Sequence, residues 1–148
     1  MNIEISEIMK KYKIGYTTGV FDMFHIGHLN ILRRAKDQCD YLIVGVSSDD
    51  LVCHEKNKRP IIPMEDRMAI IDSIKYVDQV VVQYNKNKLA AWELFKFDVM
   101  FVGSDWKGTQ TWNNYEKEFA SIGVDIVYLP HTEGISSSLI LERILKSK

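Results

Sequence analysis

The sequence has few cysteines and prolines, no long apolar run and almost no net charge. Its two cysteines, Cys39 and Cys53, form neither a CxxC pair nor a zinc spacing, which predicts reduced thiols in a cytoplasmic protein. No apolar run approaches the roughly 18 residues of a membrane helix, and residues 1–13 lack the features of a signal peptide. A net charge of −1 predicts no nucleic-acid partner and restricts any anion site to a local cluster.

Strand-like and helix-like patterns alternate along the 148 residues. Apolar segments predict strands at residues 14–18, 41–47, 79–83, 98–103 and 125–128. Amphipathic segments predict helices at residues 29–39, 63–74, 89–96, 112–122 and 136–146, the last with Ser136 as its N-cap. This alternation predicts an α/β fold, a Rossmann-like doubly wound five-stranded parallel sheet in a single domain of residues 13–148. Residues 1–12 are expected to form an arm or a short helix.

The turn after the first predicted strand, residues 19–28, reads GVFDMFHIGH. A strand, a glycine-bearing turn and a helix start together predict a phosphate site, because free backbone N–H groups at a helix N-terminus point outward. His25 and His28 share a face if the turn is helical, and Gly27 between them allows close approach of a ligand. One isolated histidine would more often cap or pack, but this context favours a pair that holds a nucleoside triphosphate.

Other polar segments follow other predicted strands, and parallel strands bring such segments to one edge of the sheet. A basic run with Lys56 and Lys58 follows the second strand, where a solvated surface is the simpler alternative. Residues 103–108 (GSDWKG) follow the fourth strand, and residues 131–138 (HTEGISSS) follow the fifth. The glycine and hydroxyls of the last segment indicate a site for the β- and γ-phosphates, with a plain N-cap as the alternative.

These segments, in this order, resemble the glycerol-3-phosphate cytidylyltransferases of the HxGH nucleotidyltransferase superfamily. The HIGH sequence at residues 25–28 also occurs in class I aminoacyl-tRNA synthetases, but those enzymes are much longer and carry a lysine-rich KMSKS loop. Here residues 132–138 resemble the RTEGIST motif of cytidylyltransferases, and residues 103–108 resemble their GDDWxG segment. The similarity extends over about residues 13–144, and His131 stands where the family usually has arginine.

The resemblance implies transfer of CMP from CTP to a phosphorylated alcohol, with Mg²⁺ accompanying CTP and a homodimeric enzyme. Glycerol 3-phosphate is the expected acceptor, and the product CDP-glycerol would be a precursor of cell wall or capsule. Ethanolamine, choline and sugar-alcohol phosphates remain open as acceptors. An adenylyltransferase of cofactor or sugar-nucleotide synthesis and a non-catalytic nucleotide-binding module remain open as other functions.

The resemblance also assigns roles to individual residues. The predicted catalytic residues are His25, His28, Lys56 and Arg67. The predicted nucleotide-binding residues are Gly19, Val20, Phe21, Gly27, Lys58, Lys75, Gly103, Asp105, His131, Thr132, Gly134, Ile135, Ser136 and Ser137. The predicted acceptor-binding residues are Lys56, Lys88 and Trp106. No carboxylate pair marks a metal site held by the protein alone, and Asp22 is predicted to bond backbone groups.

Overall fold

Five parallel strands form one sheet in the computed structural model, which describes residues 10–147. The strands are β1 (Tyr12–Gly19), β2 (Cys39–Ser47), β3 (Gln79–Gln83), β4 (Val99–Gly103) and β5 (Asp125–Leu129). Their order across the sheet is β3–β2–β1–β4–β5. The centres of β2 and β4 are buried, as expected of apolar runs covered on both faces. The predicted fold class is therefore confirmed.

Six helices of the described chain cover the sheet. They are α1 (Ile26–Lys36), α2 (Asp49–Lys56), α3 (Met64–Asp72), α4 (Lys88–Phe95), α5 (Gln110–Ala120) and α6 (Ser137–Lys146). Leu32 of α1 and Ile71 of α3, both fully buried, belong to one core cluster. Phe119 of α5 and side chains of α4 belong to a second cluster. Two separate cores on one sheet are the arrangement expected of a doubly wound fold.

Two segments differ from the predicted elements. Helix α1 begins at Ile26, three residues earlier than predicted, because a histidine pair caps it. It also ends earlier than predicted, at Lys36, and Cys39 begins β2 instead of ending a helix. Residues 48–59, for which no helix was predicted, contain α2, whose N-cap Ser48 accepts a hydrogen bond from the Leu51 N–H at 3.1 Å. The predicted N-cap of α6 is confirmed, since the Ser136 hydroxyl accepts from the Leu139 N–H at 3.0 Å.

The predicted arm falls mainly on residues 1–9, which lie outside the described residues. Its last residue, Tyr12, begins β1, and the Tyr12 hydroxyl donates to the Asp125 carboxylate at 2.8 Å. Within residues 10–147, every helix is too short or too polar to span a bilayer.

The register of the sheet gathers the carboxyl ends of the strands. Gly19 pairs with Val46, Ser47 with Gln83, and Gly103 with Leu129. The chain runs outward through β2 and β3 and then returns to β4 on the other side of β1, so the strand order reverses between β1 and β4. Ligands of open parallel sheets bind in the crevice at such a reversal.

Candidate active site

A cavity of about 870 Å³ opens at the carboxyl edge of the sheet, where the strand order reverses. Its walls come from the ends of four strands, the turn after β1, the segment after α2, and the helices α5 and α6. Ten of the residues predicted from the sequence line it: Gly19, Val20, Phe21, His28, Lys56, Lys58, Lys88, Gly103, Trp106 and Ser137. The volume lies in the range of small-molecule sites.

His25 and His28 form a reciprocal cap at the start of α1. The Gly27 N–H donates to His25 Nδ1 at 3.0 Å, and the His25 N–H donates to His28 Nδ1 at 3.2 Å. The two rings stack with their centroids 3.8 Å apart. A Cβ on residue 27 would lie 2.8 Å from Cε1 of His25, so this packing requires glycine. The HIGH sequence is thus the local reason that the helix begins here.

This cap also fixes where each ring carries its proton. Burial lowers the pKa of His25, and burial together with the neighbouring His25 lowers the pKa of His28 to about 4. Both rings are therefore neutral near pH 7. Because Nδ1 of each ring accepts a backbone N–H, the single proton of each ring lies on Nε2. His28 lines the cavity and offers an uncharged N–H donor to an anion there. The predicted His25 does not line the cavity but stacks on His28.

The Asp22 carboxylate ties the turn after β1 to the chain beyond α2. Its Oδ2 accepts from the Ile61 N–H at 2.8 Å, and its Oδ1 accepts from the Ile62 N–H at 2.9 Å. The Asp22 carbonyl accepts from the Ser137 hydroxyl at 2.6 Å. Asp22 therefore bonds backbone as predicted, but in a different segment. Since both carboxylate oxygens are occupied, it positions the walls of the cavity.

The segment after α2 supplies cations to the cavity. Lys56 ends α2, Asn57 caps it with φ 57°, and Lys58 and Arg59 follow on the exposed surface. Arg59 lies 3.6 Å from Asp50, whereas no carboxylate among residues 10–147 forms an ion pair with Lys56 or Lys58. These two ammonium groups are available to an anion.

A buried polar network lies behind this segment. The Lys88 ammonium donates to Thr18 Oγ1 at 3.0 Å and to Gln83 Oε1 at 2.7 Å, and Gln83 Nε2 donates to Ser47 Oγ at 2.9 Å. All four side chains line the cavity. Lys88 was predicted, but Thr18, Gln83 and Ser47 were not, although each stands at or next to the carboxyl end of a strand.

Arg67 does not line the cavity. Its guanidinium, 1% exposed, donates to the carbonyls of Ile62, Val20 and Ser47 and forms an ion pair with Asp49 at 2.6 Å. Arg67 was predicted as a catalytic residue, but its guanidinium does not reach the cavity in this structure. Every nitrogen of the guanidinium already bonds protein.

Lys75 does not line the cavity either. It precedes β3, at the amino edge of the sheet, with its ammonium 5.3 Å from the centre of the Tyr76 ring. The helix before it ends at that edge, which removes Lys75 from the carboxyl ends where the cavity lies.

The segment after β5 contributes mainly through the start of α6. Ser137 and Ser138 line the cavity, whereas the predicted His131, Thr132, Gly134, Ile135 and Ser136 do not. Thr132 Oγ1 accepts from Asn30, Ser136 caps α6, and Gly134 turns the chain with φ 79°. His131 Nδ1 lies 4.0 Å from the Asp105 carboxylate, and neither residue lines the cavity.

Aromatic side chains form the wall near β4. Trp106 was predicted there and is 53% exposed. Trp112 and Tyr115 of α5 also line the cavity, although neither was predicted as a site residue. Aromatic rings in a cavity wall present flat apolar surface to a bound organic ligand.

The chain is similar to known nucleotide-handling proteins over most of its length. Residues 16–143 match the family model described as Cytidylyltransferase-like. A glycerol-3-phosphate cytidylyltransferase of Bacillus subtilis is 37% identical over 135 residues, which cover 86% of this chain and 94% of that protein. The bifunctional protein HldE of Helicobacter hepaticus is 36% identical over 141 residues, which cover 95% of this chain and 28% of that protein.

A solved structure shows the same fold. The lipopolysaccharide core biosynthesis protein of Thermoplasma volcanium superposes with a TM-score of 0.67 at 25% identity, covering 82% of this chain and 97% of that one. The family inferred from the HIGH turn and its partner segments is confirmed. The chain belongs to the cytidylyltransferase-like family.

Proposed function

We propose that this protein is a CTP-dependent nucleotidyltransferase that transfers CMP from CTP to glycerol 3-phosphate. The observation that carries the proposal is the pair of neutral imidazoles, both with Nδ1 occupied, at a helix N-terminus whose cavity is also lined by two lysines that form no ion pair within residues 10–147. The relatives named glycerol-3-phosphate cytidylyltransferase, about as long as this chain, support the same substrates.

The reaction is an in-line displacement at phosphorus. A phosphate oxygen of glycerol 3-phosphate attacks the α-phosphorus of CTP and forms the new P–O bond. The bond between the α-phosphorus and the α–β bridging oxygen breaks, and pyrophosphate leaves with that electron pair. The acceptor oxygen is already anionic, so no general base is needed. Catalysis then depends on positioning and on charge stabilisation.

The histidines and lysines have separate tasks in this scheme. The Nε2–H groups of His25 and His28 donate to α- and β-phosphate oxygens as negative charge moves toward the leaving group. Lys56 and Lys58 offset the repulsion between two anionic reactants, which amounts to about 4 kcal/mol for unit charges about 4 Å apart at an effective dielectric near 20. Lys88 and Trp106 contact the acceptor, and the start of α6 at Ser137 holds the outer phosphates.

Mg²⁺ fits this site as a companion of CTP. Among residues 10–147 there is no cluster of three metal-binding side chains. Mg²⁺ commonly keeps several waters and is held largely by substrate phosphates, so few protein ligands are required. The ion would reduce the charge of the triphosphate when bound.

The test is a matrix of four nucleotides against glycerol 3-phosphate, ethanolamine phosphate, choline phosphate and a sugar-alcohol phosphate, scored by pyrophosphate release. We expect turnover with CTP and glycerol 3-phosphate. Turnover with ATP alone would favour an adenylyltransferase, the alternative that the sequence leaves open. Nucleotide binding without any turnover would favour a binding module, and no turnover with any CTP pair would contradict the proposal.

Replacing Lys56 by alanine should lower kcat/KM for glycerol 3-phosphate by about tenfold or more, because a cation facing the acceptor is lost. Lys58→Ala should instead raise the KM for CTP. Steady-state kinetics with each substrate varied in turn separates the two effects. Lys117→Ala, on the exposed end of α5, is the control and should leave both constants unchanged. An unaltered acceptor constant in Lys56→Ala would refute its assignment.

The predicted homodimer, the cytoplasmic location and the role in a cell wall or capsule precursor stay predictions.

A further inference from the structure

Lys88 is a cation inside the fold whose protein partners are uncharged. The residue is 5% exposed, and its ammonium donates to Thr18 Oγ1 and Gln83 Oε1. Within residues 10–147 it forms no ion pair with a carboxylate. Two of its three N–H donors are thus accounted for, and the group lines the cavity. A buried ammonium without a counter-ion is costly unless a ligand brings negative charge.

Gln83 is itself held in one orientation. It is 5% exposed and lies opposite Ser47 in the register of β2 and β3. Its Nε2 donates to Ser47 Oγ at 2.9 Å, which leaves Oε1 to accept from Lys88 at 2.7 Å. The amide therefore presents a dipole to the ammonium and adds no charge. A glutamate of the same shape would present a full negative charge at this point.

We propose that Gln83 is a positioning residue of the acceptor subsite. Its amide positions the Lys88 ammonium at the cavity wall and leaves it unneutralised, so that the counter-ion is the acceptor's phosphate dianion. This inference rests on the proposed function, because it assigns the free charge to the phosphorylated alcohol. It explains why a buried lysine is bridged by a threonine and a glutamine with no carboxylate. Gln83 acts through Lys88 and is a positioning residue.

The charges around Lys88 are consistent with this role. Burial lowers the pKa of Lys88 to about 8, with nearby Lys86 acting in the same direction and Glu55 opposing it. Glu55 and Lys86 pair with each other at 3.3 Å, so together they bring little net charge to the subsite. Lys88 is therefore protonated at pH 7 and loses its proton as the pH rises through about 8. The acceptor phosphate, with a second pKa of about 6, is a dianion throughout that range.

The test is Gln83→Glu, which changes charge at nearly constant shape. We expect the KM for glycerol 3-phosphate to rise by about tenfold or more, with the KM for CTP within about twofold of wild type. Gln79→Glu is the matched control, because it makes the same change at the amino end of the same strand, where Gln79 accepts from the Tyr41 hydroxyl. That control should leave both KM values unchanged.

A pH series provides the readout that a merely structural residue would not move. In the wild type, the KM for glycerol 3-phosphate should rise between pH 7 and 9 as Lys88 deprotonates, because its pKa is about 8. In Gln83→Glu the midpoint of this rise should move to higher pH, because a neighbouring carboxylate stabilises the ammonium.

The outcomes separate the two proposals. If the wild type makes no CDP-glycerol, the proposed function fails and takes this inference with it. If the wild type is active and Gln83→Glu matches Gln79→Glu in its KM for glycerol 3-phosphate, only the role of Gln83 is refuted. If Gln83→Glu does not fold, the wild-type series decides, and a KM for glycerol 3-phosphate that is constant from pH 7 to 9 overturns the inference.

Discussion

Replacing His28 by alanine is expected to lower kcat by roughly 10²–10³ with the fold intact. In the proposed mechanism the Nε2–H of His28 donates to phosphate oxygens whose charge grows only as the α–β linkage breaks, so its loss should affect kcat more than the KM for CTP. Steady-state kinetics of pyrophosphate release measures both constants, and a thermal melt checks the fold. An unchanged kcat would remove His28 from the catalytic machinery.

The same ring also caps α1, so alanine removes two functions at once. The His25 N–H would lose its acceptor, at a cost of about 1 kcal/mol in the free energy of unfolding. His28→Gln separates the functions, because glutamine at the third helical position can accept that N–H in a capping box. We expect His28→Gln to melt close to the wild type while kcat stays low. Recovery of kcat along with stability would mean that capping, and no direct donation, explains the alanine result.

The pH dependence gives an independent check on the protonation of the pair. Burial holds the pKa of His28 at about 4, below the ordinary value of 6.5, so the ring is neutral from pH 6 to 8 and its titration should not shape kcat there. A pKa depressed in the folded state means that His28 contributes stability above pH 6.5, and this contribution is lost as the pH falls toward 4. That part of the acid sensitivity should be absent in His28→Gln. A wild-type kcat that falls with rising pH through a midpoint near pH 6.5 would instead indicate that the donor is a protonated, charged histidine.

The strands and the edge that holds the site were predictable because their physical signals are local. Strands such as β2 and β4 are buried on both faces and appear as continuous apolar runs. Parallel strands then require that the turns after them meet, which is why Lys56 and Gly103 line one cavity although they lie far apart in the sequence. The N-cap at Ser136 is equally local, since its hydroxyl bonds a backbone group three residues away.

Other parts of the site depended on contacts that no local pattern encodes. Helix α2 is short and its sequence is mostly polar, so its apolar periodicity is weak. The network at Gln83 lies at the carboxyl end of β3, and Gln83 itself was not predicted as a site residue. The signal was present, because a polar residue ending an apolar strand falls at the ligand edge of a parallel sheet.

Charge alone could not show whether Arg67 and Lys75, the two basic residues in and after α3, belong to the active site. An arginine that enters an active site and one that bonds backbone carbonyls have the same sequence pattern. Only the fold shows that three carbonyls and Asp49 surround the Arg67 guanidinium, and that Lys75 emerges at the opposite edge of the sheet.

Replacing Arg67 by alanine is expected to lower the free energy of unfolding by about 3 kcal/mol or more. The guanidinium joins the turn after β1, the end of β2, the start of α2 and the chain before α3, through Val20, Ser47, Asp49 and Ile62. Its removal leaves the Asp49 carboxylate, 24% exposed, without its cation and leaves three carbonyls without a donor. For a chain of this length the melting temperature should fall by about 10 °C. Arg67→Lys should lose less, because it keeps the charge but cannot reach all four oxygens.

The effect on catalysis distinguishes positioning from direct participation. Arg67 does not itself line the cavity, so well below the melting temperature Arg67→Lys should retain kcat within about tenfold, with a higher KM as the segment after α2 loosens. Arg143→Ala is the matched control, because that exposed arginine makes one long bond, 3.5 Å to the Gly134 carbonyl, and its loss should cost no more than about 0.5 kcal/mol. A nearly unchanged melting temperature in Arg67→Ala together with a kcat lowered 10²-fold or more would return Arg67 to the catalytic residues. A large loss of stability in Arg67→Ala, with kcat retained in Arg67→Lys, would establish a structural role for Arg67. The residue would then hold the segment after α2 against the turn after β1.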